Sequence, residues 1–219
     1  MIWVLVLAGL APPSRAESPQ FSTGGFVMTV QYGPGFWALA KKQLADQVNS
    51  QDPGGGDIFV TDAQNTHTLS LRAAYNILGH ASLGAELTAT GWNLFDTTRG
   101  GAGFGIGSVT WHPLELVFLN RPKRPIPLDL GTFFGVGYGL AGQRRGMDGL
   151  IFEWGLNADW YFSRYFGLGL FVRGIFLDWN AFYIDFNNRS LPGATIALPQ
   201  SSGGSFWTFG LNINFRAGD

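Results

Sequence analysis

One segment constrains this chain more than any other. From Leu150 to Phe162 the residues alternate without a break, with Leu150, Phe152, Trp154, Leu156, Ala158, Trp160 and Phe162 on one side and Ile151, Glu153, Gly155, Asn157, Asp159 and Tyr161 on the other. A period of two marks a strand whose two faces meet different surroundings. A run of about thirteen residues is more than twice the five or six of an ordinary globular strand, whereas a tilted strand crossing a bilayer needs about 9–11. Length therefore separates a membrane β-barrel from a soluble sandwich.

The same dyad recurs. Trp207, Phe209, Leu211, Ile213 and Phe215 alternate with Thr208, Gly210, Asn212 and Asn214, and Leu69, Leu71, Ala73, Tyr75 and Ile77 with Ser70, Arg72, Ala74 and Asn76. In each, one face suits lipid and the other a wet or packed lumen. Gly25–Tyr32, Ala81–Trp92, Gly101–Trp111, Leu128–Leu140 and Tyr165–Trp179 are further strand candidates, which brings the total to about eight. That is an even number, as bacterial outer-membrane barrels have. The expected fold is all-β, an antiparallel up-and-down transmembrane β-barrel.

Composition supports this. Of 219 residues, 32 are glycine and only 13% are charged, about half the share in a soluble domain, while 46% are hydrophobic and 15% aromatic. After the first dozen residues no stretch is apolar for the 18 or so positions of a spanning helix. A formal net charge of -1 offers no field for nucleic acid, and the absence of cysteine removes disulfides, thiolate metal sites and thiol nucleophiles.

The amino end reads as an export signal. Ile2 to Ala11 form an apolar run of suitable length, followed by Pro12-Pro13-Ser14-Arg15-Ala16, so residues 1–16 are expected to be a signal peptide cleaved after Ala16 and 17–219 the barrel domain. With the mature amino terminus periplasmic, the external loops fall at Gly33–Asn65, Asn93–Gly100, Ala141–Gly149 and Asn180–Gly203. Tight periplasmic turns fall around Leu78-Gly79-His80 and at Ser163-Arg164, flanked by aromatics. The connection Pro113–Pro127, with Arg121, Lys123 and Arg124, is long for a periplasmic turn. Inside the first loop, Phe36–Val48 has helical spacing that ends at Asp52-Pro53-Gly54-Gly55-Gly56.

Two motifs carry a family resemblance. The last strand, Thr208-Phe209-Gly210-Leu211-Asn212-Ile213-Asn214-Phe215, resembles the carboxy-terminal assembly signal of bacterial outer-membrane barrels, with Thr208, Gly210, Ile213 and Phe215 at its marked positions; Arg216-Ala217-Gly218-Asp219 runs past the aromatic that usually ends it. The hairpin Ala158–Gly169 is similar to the corresponding turn of the small OmpA/OmpX/OmpW-like barrels. The resemblance implies insertion by the barrel-assembly machinery into the outer membrane of a diderm bacterium, in contact with its lipid and lipopolysaccharide. It leaves the activity open.

Candidate chemistry is sparse. His80 and Ser82 with Glu86 faintly resemble the His-x-Ser pair of barrel lipid A deacylases, but the topology puts His80 in a periplasmic turn, away from outer-leaflet lipid. His67 and His112 lack metal-ligand spacing and are assigned to the interface, so no catalytic residue, metal or cofactor is expected. Gly101, Gly103, Gly105 and Gly107 have a period of two, not that of a nucleotide loop, and together with Gly131, Gly135, Gly137 and Gly139 are expected to make room inside the barrel.

The informative set is the inward face, where alternation puts Arg72, Glu86, Asp129, Glu153, Asp159 and Arg173. An eight-stranded barrel is only just wide enough for side chains, so Arg72 and Arg173 are expected to pair with carboxylates among Glu86, Glu153 and Asp159 and to close the lumen. The expected function is therefore not enzymatic. It is a structural or surface-interaction role in which loops 33–65 and 180–203 meet an external ligand. A channel for small solutes is the alternative, and a lipid A-modifying enzyme a more distant one.

Overall fold

The computed structural model describes residues 25–38, 41–54, 66–77, 80–92, 100–114, 127–142, 145–163, 165–185 and 195–217. The strands are β1 (Phe26–Ala38), β2 (Thr66–Asn76), β3 (Ala81–Trp92), β4 (Gly100–Trp111), β5 (Leu128–Gly142), β6 (Gly146–Tyr161), β7 (Phe166–Tyr183) and β8 (Thr195–Ala217), with helix α1 (Lys41–Asn49) between β1 and β2. Each strand pairs antiparallel with its sequence neighbour and β1 pairs with β8, so the sheet closes into an eight-stranded up-and-down barrel without a free edge. The expected signal peptide, residues 1–16, lies outside the described residues.

The alternation translates directly into facing. Along β2 every residue from Thr66 to Asn76 alternates inward and outward, and β6 keeps Ile151, Glu153, Gly155, Asp159 and Tyr161 in and Leu150, Phe152, Leu156 and Trp160 out. The outer surface is an apolar belt in which Leu87, Leu170 and Leu211 are 69, 62 and 64% exposed. In water such a surface would be costly, and in hydrocarbon it is the stable arrangement. Around the turn end Trp111, Trp160, Phe162, Tyr165 and Phe215 point outward, the position of an interfacial aromatic girdle.

Closure of the barrel at β1 and β8 depends on two glycines. A Cβ on Gly33 would run into the Phe209 backbone, and one on Gly210 would stand 2.7 Å from the Gly33 Cα and against the Tyr32 carbonyl. Regular pairing is interrupted here, between Tyr32 with Leu211 and Gly35 with Thr208. Gly210, one of the marked positions of the last strand, is thus needed for the two backbones to approach.

The strands outrun their expected bounds at the loop end. β1 continues through Gly33-Pro34-Gly35 to Ala38, β7 reaches Tyr183 and β8 starts at Thr195, so the first and seventh connections shrink to 39–65 and 184–194. The fifth becomes 143–145, a tight hairpin in place of an external loop at 141–149. Gly and Pro punctuate a soluble chain, and pairing with β8 does lapse at Gly33-Pro34, but the unbroken register with β2 from Phe26 to Gly35 carries β1 across the gap. The predicted helix starts later than Phe36, because Phe36 and Trp37 pair with Trp207 and Phe206 in the sheet. Its carboxy end turns through Asp52 N–H to the Val48 carbonyl at 2.8 Å and through Gly54, whose φ of 82° suits a residue without a side chain.

Candidate functional site: the barrel lumen

The lumen has three layers. At the loop end it is apolar: Phe104, Ile106, Ile151, Ile175, Trp179 and Phe206 are buried, and Ala45 and Val48 of α1 pack on them, so the helix caps the mouth. Trp37 packs against this cluster, with its ring 6.3 Å from Trp92 and 5.5 Å from Phe206. Arg145 of the β5–β6 hairpin reaches Asp52, just beyond α1, at 3.2 Å.

The glycines bear on this layer in a way the sequence expectation got half right. On β5, inward Gly135 and Gly139 leave room for Ile106 and Phe104, each of which comes within 2.5 Å of where a Cβ would stand. The β4 series is a correction. Gly103, Gly105 and Gly107 point outward, with nothing within 4 Å of a Cβ on Gly103 or Gly105, because the inward positions of β4 belong to Ala102, Phe104, Ile106, Ser108 and Thr110. The two runs do lie on neighbouring strands, but on opposite faces of the wall.

The middle layer holds four charges. Arg72 Nε donates to Glu86 Oε2 at 2.7 Å and Arg72 Nη2 to Glu153 Oε1 at 2.7 Å. Arg173 Nη1 donates to Glu86 Oε1 and lies 3.6 Å from Glu153 Oε2. Arg173 Nη2 adds Gln31 Oε1 at 3.0 Å and Ser70 Oγ at 2.7 Å, and Thr88 donates to Glu86 Oε1 at 2.6 Å. Arg72 also stacks over the Phe133 ring, 3.9 Å from its centroid. In a ring of eight strands β2 and β3 stand opposite β6 and β7, so the bridges Arg72–Glu153 and Arg173–Glu86 cross the lumen. Two cations and two anions cancel, and Arg173 and Glu86 are 0 and 1% exposed. Such a set is stable only while it is complete.

The turn-end layer is polar and partly open. A cavity of about 40 Å³ is lined by Thr29, Ser82, Asp129, Asn157, Asp159 and Asn212 among others. Asp129 takes His112 Nδ1 at 3.0 Å and has Arg216 Nη2 at 3.6 Å, with the Arg216 guanidinium stacked 3.7 Å over the Tyr161 ring. Arg72 and Arg173 take their carboxylates from Glu86 and Glu153, and Asp159 pairs with neither. It accepts from Asn212 Nδ2 at 2.6 Å and from Asn157 Nδ2, because its height on β6, six residues beyond Glu153, puts it near the turns.

All six expected lumen residues are therefore buried inside, but they form two groups. Arg72, Glu86, Glu153 and Arg173 meet in the middle, and Asp129 and Asp159 lie at the turn end. Sequence reasoning missed Arg216 and His112. Arg216 continues the inward parity of Asn212 and Asn214, and His112 that of Ser108 and Thr110, so extending either strand by one residue would have found both. Of the four last-strand positions, Thr208 and Gly210 lie on the lumen side of β8 and Ile213 and Phe215 on the outside. His67 is exposed and stacks on Tyr32, whose Oη lies 3.1 Å from its Nδ1. Among the described residues no hydrogen bond joins His80, Ser82 and Glu86, and Glu86 is bound by both arginines.

The fold and lining of this lumen define a closed, side-chain-filled transmembrane barrel of eight strands. Solved structures of the same architecture are similar to it. Neisserial surface protein A superposes with a TM-score of 0.51 at 7% identity, over 89% of this chain and 97% of that one. The N-terminal barrel domain of Pseudomonas aeruginosa OprF gives 0.43 at 10% identity over 88 and 97%. Ail, the attachment invasion locus protein of Yersinia pestis, gives 0.44 at 10% over 89 and 100%. At such identities the first likeness shows the fold alone. No protein-family profile matches the chain, and no characterised protein matches it by sequence.

Proposed function

We propose that this protein is a plugged barrel of the outer membrane of a diderm bacterium, which holds its loop end at the cell surface as a structural or surface-interaction element. The observation that carries the reading is the pair of ionic bridges across the lumen beneath an apolar layer capped by α1. Two successive seals of opposite chemistry suit a scaffold better than a conduit. The contact with external partners falls to the connections at 39–65 and 184–194 and the strand ends that carry them. Export by the amino-terminal signal, assembly through the last strand and contact with lipopolysaccharide belong to the same reading. Conductance in planar bilayers tests it: the unmodified barrel should be silent, and substantial single-channel currents would make the small-solute channel the better account.

A further inference from the structure

The carboxylates of the lumen are not equally provided for. In the middle layer each glutamate meets two guanidinium groups. Asp159, 2% exposed, has no ion pair among the described residues, and the donors Asn212 and Asn157 that reach it are neutral amides. Its neighbour directly across the β5–β6 ladder is Asp129, a second carboxylate, and like charges so opposed repel. Arg216 and His112 both approach Asp129 Oδ2, so the one guanidinium of this layer stands against two carboxylates and leaves an excess of negative charge at Asp159.

A second observation points the same way. Asn212 is 1% exposed and lines the cavity, yet its Oδ1 accepts no hydrogen bond; Asn157 Oδ1 is likewise buried and without a donor. Buried acceptors left in that condition cost free energy unless something electropositive joins them. Both oxygens are accommodated by bare backbone: a Cβ on Gly169 would stand 2.7 Å from Asn212 Oδ1 and against Asp159 Oδ1, and one on Gly131 would meet Asn157 Oδ1. Half a turn of either amide exchanges its nitrogen for its oxygen, which converts a donor aimed at Asp159 into an oxygen ligand beside it. The cavity of about 40 Å³ has room for an ion with roughly one or two waters.

We propose that Asp159, Asn157 and Asn212, with Asp129 opposite, form a binding site for a hard cation at the turn end of the lumen, calcium being the first to try. All the ligands are oxygens, the class that calcium and other hard cations take, and one or two carboxylates place the site among weak calcium sites, with Kd on the order of 10⁻⁴–10⁻³ M. The cation offsets the carboxylate charge that Arg216 leaves over, as the arginines offset the glutamates of the middle layer. It also ties β6 to β5 and β8 beside the Arg216–Asp129 bridge, in which Asp159 takes no part.

The test uses the folded barrel purified in detergent and freed of metal by chelator. Terbium should bind and luminesce on excitation of the Tyr161 ring beside the site; calcium should displace it, and calcium should raise the heat-unfolding midpoint by a few degrees. Asp159→Asn should abolish both effects, and Asn212→Asp should tighten calcium binding at least severalfold and keeps the test alive if the first variant does not fold. Asp148→Asn, at the other end of the barrel, should leave terbium binding and the calcium-induced shift in place. If sodium and not calcium shifts the midpoint of the parent, and Asp159→Asn removes that shift, the site stands as a monovalent one. Terbium binding that survives Asp159→Asn, or a midpoint indifferent to calcium and sodium alike, overturns the proposal and makes Asp159 a carboxyl kept neutral by its own proton.

Discussion

The upper and middle thirds of this lumen exclude water by opposite means. At the loop end Ile175, Phe206 and Trp179 fill the space with apolar volume, and the aliphatic and phenyl groups there need no particular partner. In the middle Arg72, Glu86, Glu153 and Arg173 fill it with charges, each of which needs its neighbours in place. An apolar layer tolerates rearrangement and loses stability in proportion to the void that a deletion leaves. A buried ionic layer gains little over an apolar one when complete and loses much when broken. Truncation in the two layers should therefore differ in kind as well as in size.

The largest effect is expected at Arg173. Removing its side chain leaves Glu86 and Glu153 sharing Arg72 alone, at a cost of roughly 3–5 kcal/mol. The loss is measurable by reversible unfolding in detergent or lipid, and if the ionic layer is the tighter of the two seals small currents should appear in a bilayer, because Arg72–Glu153 alone then crosses the lumen. Full stability in Arg173→Ala would mean that water already screens the four charges and that the middle layer is not a seal. Ile175→Ala sharpens the contrast. It should cost about 2–5 kcal/mol, nearer the lower figure because the cap can settle, while the barrel stays silent. Currents from Ile175→Ala but not from Arg173→Ala would move the seal from the ionic layer to the apolar one.

The same contrast explains what could be read from the chain. Alternation gives the direction of a side chain, so Arg72, Glu86, Glu153 and Arg173 could all be aimed inward, and Arg72 and Glu86 are direct neighbours across the β2–β3 ladder. Alternation does not give height. That Arg173 of β7 meets Glu86 of β3 depends on the tilt and stagger of the closed ring, a property of all eight strands together. Asp159 shares the parity of Glu153 and so falls with the glutamates by alternation alone, although it lies a layer lower. Parity reaches His112 and Arg216 only when β4 and β8 are carried one residue further, and small size does not imply inwardness, as Gly103 and Gly105 show. A bare position is compatible with a crowded lumen or with lipid, and only the parity of Phe104 and Ile106 tells which.

That last ambiguity yields the two smallest predictions, one on each side of the same wall. Gly135→Ala puts a methyl 2.5 Å from Ile106 Cγ2 and 3.2 Å from the Gly107 carbonyl. The isoleucine is packed in the apolar layer and the backbone cannot yield, so the change should cost roughly 1–3 kcal/mol. Gly105→Ala is the mirror experiment: the position has an ordinary strand backbone and no heavy atom within 4 Å of the new carbon. The added side chain removes freedom from the unfolded chain without a clash, so it should stabilise the barrel by about 0.4–1 kcal/mol. The sign of the difference between the two variants, measured in one unfolding assay, is a direct readout of which face each glycine occupies. Equal destabilisation by both would mean that the outer face of β4 is covered in the membrane by something that needs the bare backbone. A gain at Gly105 with a loss at Gly135 leaves that face to lipid, and the crowding to the lumen alone.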